Sequence, residues 1–165
     1  MEAVASLFDR LTLGVYVVGA AHLERRDAFT AAWITQASYD PPMLAVSINP
    51  RNASYPLVVA SGAFVVNVLK QGQLELARHF GTRSGREQDK LAGIDWRPGH
   101  KGAPVLEKAL ACFECELIQC VPAGDHQLAV ARVVGGRILD PDAAPMSYAE
   151  TGAMDGSAAL YKASF

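Results

Sequence analysis

Hydrogen-bonding side chains cluster between residues 28 and 54. Thr30, Thr35, Gln36, Ser38, Ser47 and Asn49 are set among apolar neighbours, in a stretch that runs through Asp40-Pro41-Pro42 and ends in Asn49-Pro50-Arg51-Asn52-Ala53-Ser54. Small residues such as Ala31 and Ala32 let backbone N–H groups approach a ligand closely, while hydroxyl and amide side chains complete the pairing. The set suits a planar ligand with a polar edge. It equally suits hydroxyls on the solvent face of a strand followed by a turn and a helix cap, because Ser and Asn are default turn and cap residues. Arg51 and Ser54 stand near a helix start, a position that suits a terminal phosphate.

An isoalloxazine ring is one ligand with such an edge of carbonyls and ring nitrogens. A second group of interest is Gly124-Asp125-His126. Pro122-Ala123-Gly124-Asp125 is good hairpin chemistry without any function, and a lone strand histidine is usually a surface or satisfied side chain. His126 becomes functional if the fold aims it at the cleft that residues 28–38 line.

Other signatures are weak or missing. The sequence holds no Gly-x-Gly-x-x-Gly, no Walker-type Gly-x-x-x-x-Gly-Lys-Ser/Thr and no Gly-x-Ser-x-Gly elbow. Gly81-Thr82-Arg83-Ser84-Gly85-Arg86 resembles a phosphate loop only superficially, lacking the Lys-Ser/Thr pair and a preceding strand. Cys112-x-x-Cys115 falls in a strand pattern, where residues three apart point to opposite faces, so core or sheet-face thiols are expected and no metal site. His22, His79, His100 and His126 show no ligand spacing.

These side chains need elements to hold them. Val4, Leu7, Phe8 and Leu11 have helical spacing over residues 3–11. Strands are expected at 14–19, 28–38, 43–48, 63–69, 110–121 and 126–139, the last two forming a hairpin. Glu24-Arg25-Arg26-Asp27 reads as a turn, and Pro41-Pro42 stops the strand before it. Short helices are expected at 53–60 and 72–80, with a polar, glycine-punctuated loop over 81–104. About six strands, few helices and no strand–helix alternation argue against a doubly wound fold. They favour a mainly β, mostly antiparallel barrel with short helices in its crossovers.

Composition fits that picture. The chain has 165 residues, 50% apolar and 19% charged, with a net charge of −2. That is a globular composition on the scale of one domain, here residues 1–165, and its charge gives no reason to invoke nucleic acid or an anionic membrane. No apolar run approaches the roughly 20 residues that span a bilayer, and the first residues lack the order of a signal peptide. Three cysteines in a chain too large to need staples suggest reduced thiols and a cytoplasmic setting.

Taken in order, several stretches resemble one known family. Ala31 to Val46, Gly62-Ala63-Phe64-Val65-Val66-Asn67-Val68-Leu69, Ala77-Arg78-His79-Phe80, Gly102-Ala103-Pro104-Val105-Leu106 and Gly124-Asp125-His126 are similar to flavin reductase-like, FMN-binding split-barrel proteins. The likeness spans roughly residues 8–140. Its flavour is that of the flavin reductase domain of cyanobacterial flavodiiron proteins and their stand-alone relatives.

The resemblance implies an FMN-binding split β-barrel, paired as a homodimer with FMN (or FAD) near the interface. It implies that Thr30, Ala31, Ala32, Trp33, Ile34, Thr35, Gln36 and Ser38 line the ring and ribityl chain. Asn49, Arg51 and Ser54 would meet the phosphate, and His79 and Phe80 would close over the cofactor. His126 would sit by the flavin and nicotinamide, as the catalytic residue. NADH or NADPH would pass a hydride to flavin N5, and electrons would go on to a second flavin, ferric iron, oxygen or a protein partner. The redox chemistry would belong to the flavin. Two alternatives keep the fold: a non-catalytic FMN electron carrier reduced by a protein partner, and a haem-binding split barrel. Tyr148 and Tyr161 are the tyrosines available to reach the flavin from the small-residue-rich tail.

Overall fold

In the computed structural model, which describes residues 3–163, the apolar runs become strands of one antiparallel sheet. In chain order these are β1 (Tyr16–His22), β2 (Arg25–Ala31), β3 (Ile34–Ser38), β4 (Met43–Ile48) and β5 (Ala63–Val68). A small hairpin follows, β6 (Trp96–Pro98) with β7 (Pro104–Leu106), and then the long pair β8 (Ala111–Ala123) and β9 (His126–Ile138). The helices are α1 (Val4–Phe8), α2 (Tyr55–Ser61) and α3 (Leu74–Gly81).

The seven-stranded sheet has the order β2-β1-β5-β8-β9-β4-β3. Its two edge strands, β2 and β3, are consecutive in the chain and are linked only through Ala32 and Trp33. The sheet therefore curls until its edges face each other across a seam, as a split barrel does. Just before β3 begins the ladder reaches the seam itself, where the Ser47 amide donates to the Trp33 carbonyl at 3.0 Å.

Two apolar clusters hold the curl. One, inside, gathers Val18, Ala20, Phe29, Val46, Ile48, Phe64, Val66, Cys115 and Ala129 around Leu57 and Val58 of α2. The other, outside, packs Val15, Val17, Ala28 and Leu69 against Ala77 and Phe80 of α3 and against Leu106 and Met146. Both faces of β1 are thus covered, which is why its sequence is apolar without alternation. Asn67 ties the small hairpin on: its amide donates to the carbonyls of Val17 and Pro104, each at 3.1 Å, and its Oδ1 accepts from Leu106 N at 2.8 Å. A buried amide so fully used replaces ladder bonds that three-residue strands cannot supply.

The barrel expected from the sequence is the one found, with differences in detail. Residues 28–38 are not one strand, because Ala32 and Trp33 break it at the seam. The turn expected at 24–27 is Leu23-Glu24, with Leu23 at φ 53°, and Arg25 to Asp27 already belong to β2. The expected loop over 81–104 contains β6 and the start of β7. Cys112 and Cys115 do fall on opposite faces, Cys115 in the inner cluster and Cys112 in a separate one with Val65 and Val105. Burial pushes the Cys115 thiol up to about 12. No helix of the described residues is long and apolar enough to cross a membrane.

Candidate functional site

The seam opens into a cavity of about 290 Å³. One wall is the end of β2 and the link, Phe29 to Trp33, with Ser47, Asn49 and Asn52 beside it. The facing wall comes from both ends of the chain: Phe8, Leu11 and Leu13 from the first segment, and Tyr148, Asp155, Ser157, Leu160 and Tyr161 from the last. Phe8 and Tyr161 stack with centroids 5.2 Å apart, joining the two segments. Tyr148 donates its hydroxyl to Asp155 at 2.7 Å, and burial pushes that phenol up, which keeps it a donor. An apolar cavity of about 490 Å³ adjoins, sharing Phe8, Leu11, Leu13, Trp33 and Tyr161 and adding Ile34, Thr35, Ala45 and Leu128.

On its other side the seam cavity shares Phe29, Thr30 and Asn52 with a pocket of about 180 Å³. That pocket brings together Arg51, Arg83, Arg86 and Lys90, and among the described residues lining it none is Asp or Glu. Arg51 sits in a turn closed by its own amide, which donates to Asn49 Oδ1 at 3.0 Å. Arg83 and Arg86 come from the loop after α3, and Arg86 Nη1 donates to the Arg51 carbonyl at 2.7 Å. Guanidinium groups around one small polar space can take an anion, because each offers forked donors to a phosphate or carboxylate.

His126 opens β9 directly after the tight turn at Gly124, whose φ is 65°. Its ring lies 4.9 Å from the Trp33 ring, tilted by 46°, and both side chains line the seam cavity. Nδ1 is 2.7 Å from Asp125 Oδ1, and this bond holds the Asp125 carboxyl below its usual range. The pairing fixes the ring so that Nε2 is the nitrogen free for a ligand.

The flavin reductase like domain model matches residues 8–157. The chain belongs to the flavin reductase-like family. It is 38% identical to the high molecular weight rubredoxin of Moorella thermoacetica over 84% of this chain and 61% of that protein. It is 37% identical to the putative diflavin flavoprotein A 6 of Nostoc sp. over 84% of this chain but only 25% of that protein. The chain thus spans less than two thirds of the length of these curated relatives. Among solved structures it is similar to an FMN-binding protein from Thermus thermophilus with bound p-hydroxybenzaldehyde, with a TM-score of 0.74 and 36% identity over 78% of this chain and 73% of that one.

Within this flavin reductase-like barrel the sequence-predicted residues divide. Thr30, Ala31, Ala32, Trp33, Asn49 and His126 line the seam cavity, and Arg51 and Phe80 line the arginine pocket that Thr30 also reaches. Ile34 and Thr35 line the adjoining apolar cavity instead. Gln36 and Ser38 lie farther along β3, on the barrel's exposed edge, where Gln36 Nε2 reaches back to the Ser38 carbonyl at 3.5 Å. They are not part of the seam wall, because the chain has already turned away at Trp33. Ser54 is fully buried and donates its hydroxyl to Asp27 at 2.7 Å, facing inward from the turn. His79 lines neither the seam cavity nor the arginine pocket; its Nε2 meets the Lys90 carbonyl at 2.6 Å.

Sequence reasoning missed Asn52, Arg83, Arg86 and Lys90. For Arg83 and Arg86 the signal is the superficial phosphate loop at Gly81 to Arg86, which lacks the Walker pattern. The structure puts it beside Arg51, where it needs no such pattern to present cations. Tyr148 and Tyr161 do both line the cavity.

Proposed function

We propose that this chain binds FMN at the seam, with the ring in the seam cavity and the phosphate in the arginine pocket, and works as an NAD(P)H-dependent flavin reductase-like oxidoreductase. The observation that carries the reading is the adjacency of the two spaces. A cleft walled by small residues, amides and aromatic rings opens onto a pocket of guanidinium groups with no carboxylate in its lining. FMN has that same polarity along its length, and FAD would place its first phosphate alike. The name of the Thermus thermophilus relative, an FMN-binding protein, supports a flavin as the ligand.

When bound, the flavin supplies the redox chemistry, taking electrons from reduced nicotinamide and passing them to a second flavin, ferric iron, oxygen or a protein partner. The chain's own work is to bind and orient. Ala31 and Ala32 keep the floor thin, so main-chain groups come close to the ring edge. Arg51, Arg83 and Arg86 hold the phosphate end by charge-assisted bonds. His126, fixed by Asp125, holds Nε2 at the cavity as a hydrogen-bond partner for flavin or nicotinamide. Phe8, Leu11 and Tyr161 exclude water from the outer side.

The reading extends to assembly and setting: a homodimer in the cytoplasm. The strands β8 and β9 leave Phe113, Ile118, Val134 and Ile138 exposed, and a second copy would cover such apolar side chains. Sedimentation of the purified protein at twice the monomer mass is the expected result.

The deciding experiment is a visible spectrum with added FMN, followed by anaerobic titration with NADH and NADPH. Bound flavin bands that bleach on mixing support the reductase and name its donor. Bound flavin that stays oxidised points to the electron carrier fed by a protein. No binding of FMN overturns the reading and returns haem to consideration.

A further inference from the structure

The arginine pocket has a carboxylate behind it. Asp27 of β2 is 6% exposed, Ser54 0% and Lys90 3%. Ser54 Oγ donates to Asp27 Oδ2 at 2.7 Å, and Lys90 Nζ lies 3.6 Å from Oδ1. Lys90 Nζ also points to the Phe80 carbonyl, 3.4 Å away near the end of α3. Gly85 packs so tightly on the same carboxyl that a Cβ there would collide with it. Burial lowers the Lys90 ammonium below its ordinary range, and the Asp27 charge works against that shift.

On Coulombic grounds alone a carboxylate next to an anion pocket is adverse. Its bonding suggests what it is there for. Through Ser54 it grips the turn that carries Arg51. Through Lys90 and Gly85 it grips the loop that carries Arg83 and Arg86. From outside, Arg86 closes the same two segments by its bond to the Arg51 carbonyl. Arginines on a free glycine-containing loop would have to be ordered when an anion arrives, which subtracts from affinity; a loop locked beforehand avoids that loss.

We propose that Asp27 is the positioning residue of the phosphate pocket: its buried carboxylate clamps the Arg51 turn to the Arg83–Arg86 loop and so sets the guanidinium spacing for a phosphate monoester. The proposal rests on the reading that this pocket takes the phosphate end of FMN.

The test compares FMN with riboflavin, which lacks the phosphate, by fluorescence titration of the wild type, Asp27→Asn and Ser54→Ala. The wild type is expected to prefer FMN. Asp27→Asn should cut that preference about ten-fold, the scale of a charge-assisted contact, with riboflavin affinity unchanged. A simple charge effect has the opposite sign, since removing a negative charge would tighten FMN. Ser54→Ala, which deletes one bond and little volume, should cut the preference several-fold. It decides the matter if Asp27→Asn fails to fold by circular dichroism. A preference that survives or rises in the folded variants overturns the role of Asp27 and leaves the flavin reading standing. Equal wild-type affinity for FMN and riboflavin overturns the placing of the phosphate, and no affinity for either overturns the flavin reading itself.

Discussion

Arg51 and His126 divide the site's labour, and single substitutions separate them. Arg51→Ala removes a guanidinium from the anion pocket and should weaken FMN by about 1–3 kcal/mol, as for a charge-assisted bond, in an equilibrium titration. Unchanged affinity would take Arg51 out of the phosphate contact. His126→Ala should spare FMN binding and slow flavin reduction by NAD(P)H in stopped flow. A wild-type rate would return His126 to a packing role against Trp33. Cys115 makes a prediction about stability. Its thiol is pushed from 9.0 up to about 12 by burial, so it contributes stability in full below pH 9 and loses it as pH rises toward 12. The wild type should lose on the order of 4 kcal/mol from this group over that range, and Cys115→Ala should flatten the alkaline limb of its urea-denaturation stability. Lys90, lowered by burial, acts in the opposite sense as pH approaches the ordinary lysine value, so the thiol's effect is read from the difference between variant and wild type.

At the scale of elements, β1 shows how closely layers are set. A Cβ on Gly19 would lie 2.9 Å from the Pro104 carbonyl oxygen, so β7 approaches β1 where only hydrogen fits. Gly19→Ala should cost about 1–3 kcal/mol by overpacking, measured by urea denaturation. The same layering explains what the sequence disclosed. Runs such as Ala63 to Val66 announce strands because burial on two faces demands apolar residues at consecutive positions. The hairpin of β6 and β7 is invisible, since three residues carry no period and its anchor is a single amide, Asn67. Residues 28–38 read as one strand because Ala32 and Trp33 suit a strand by composition. Only closure of the sheet, a non-local event, requires the chain to change edges there. The arginine pocket was half legible for the same reason: Arg51 stood beside a recognisable turn, while Arg83 and Arg86 gain meaning only once α3 carries their loop across β2.

At the scale of the whole molecule, the first and last described segments of the barrel meet at the cavity. The Phe8–Tyr161 ring contact, described above as part of a wall, makes this protein a candidate for circular permutation. A short linker could join the ends, and new ends could be opened between Leu23 and Glu24, where Leu23 is 88% exposed and the β1–β2 pairing survives the cut. Such a permutant should keep FMN affinity within about two-fold, since no seam residue changes, while ligand exchange slows because the outer wall is now covalently closed. Rapid-mixing displacement of FMN would read the change as a longer residence time. The rate at which ligand passes the outer wall would then be a property of chain connectivity, adjustable by linker length without touching a residue that holds the ligand.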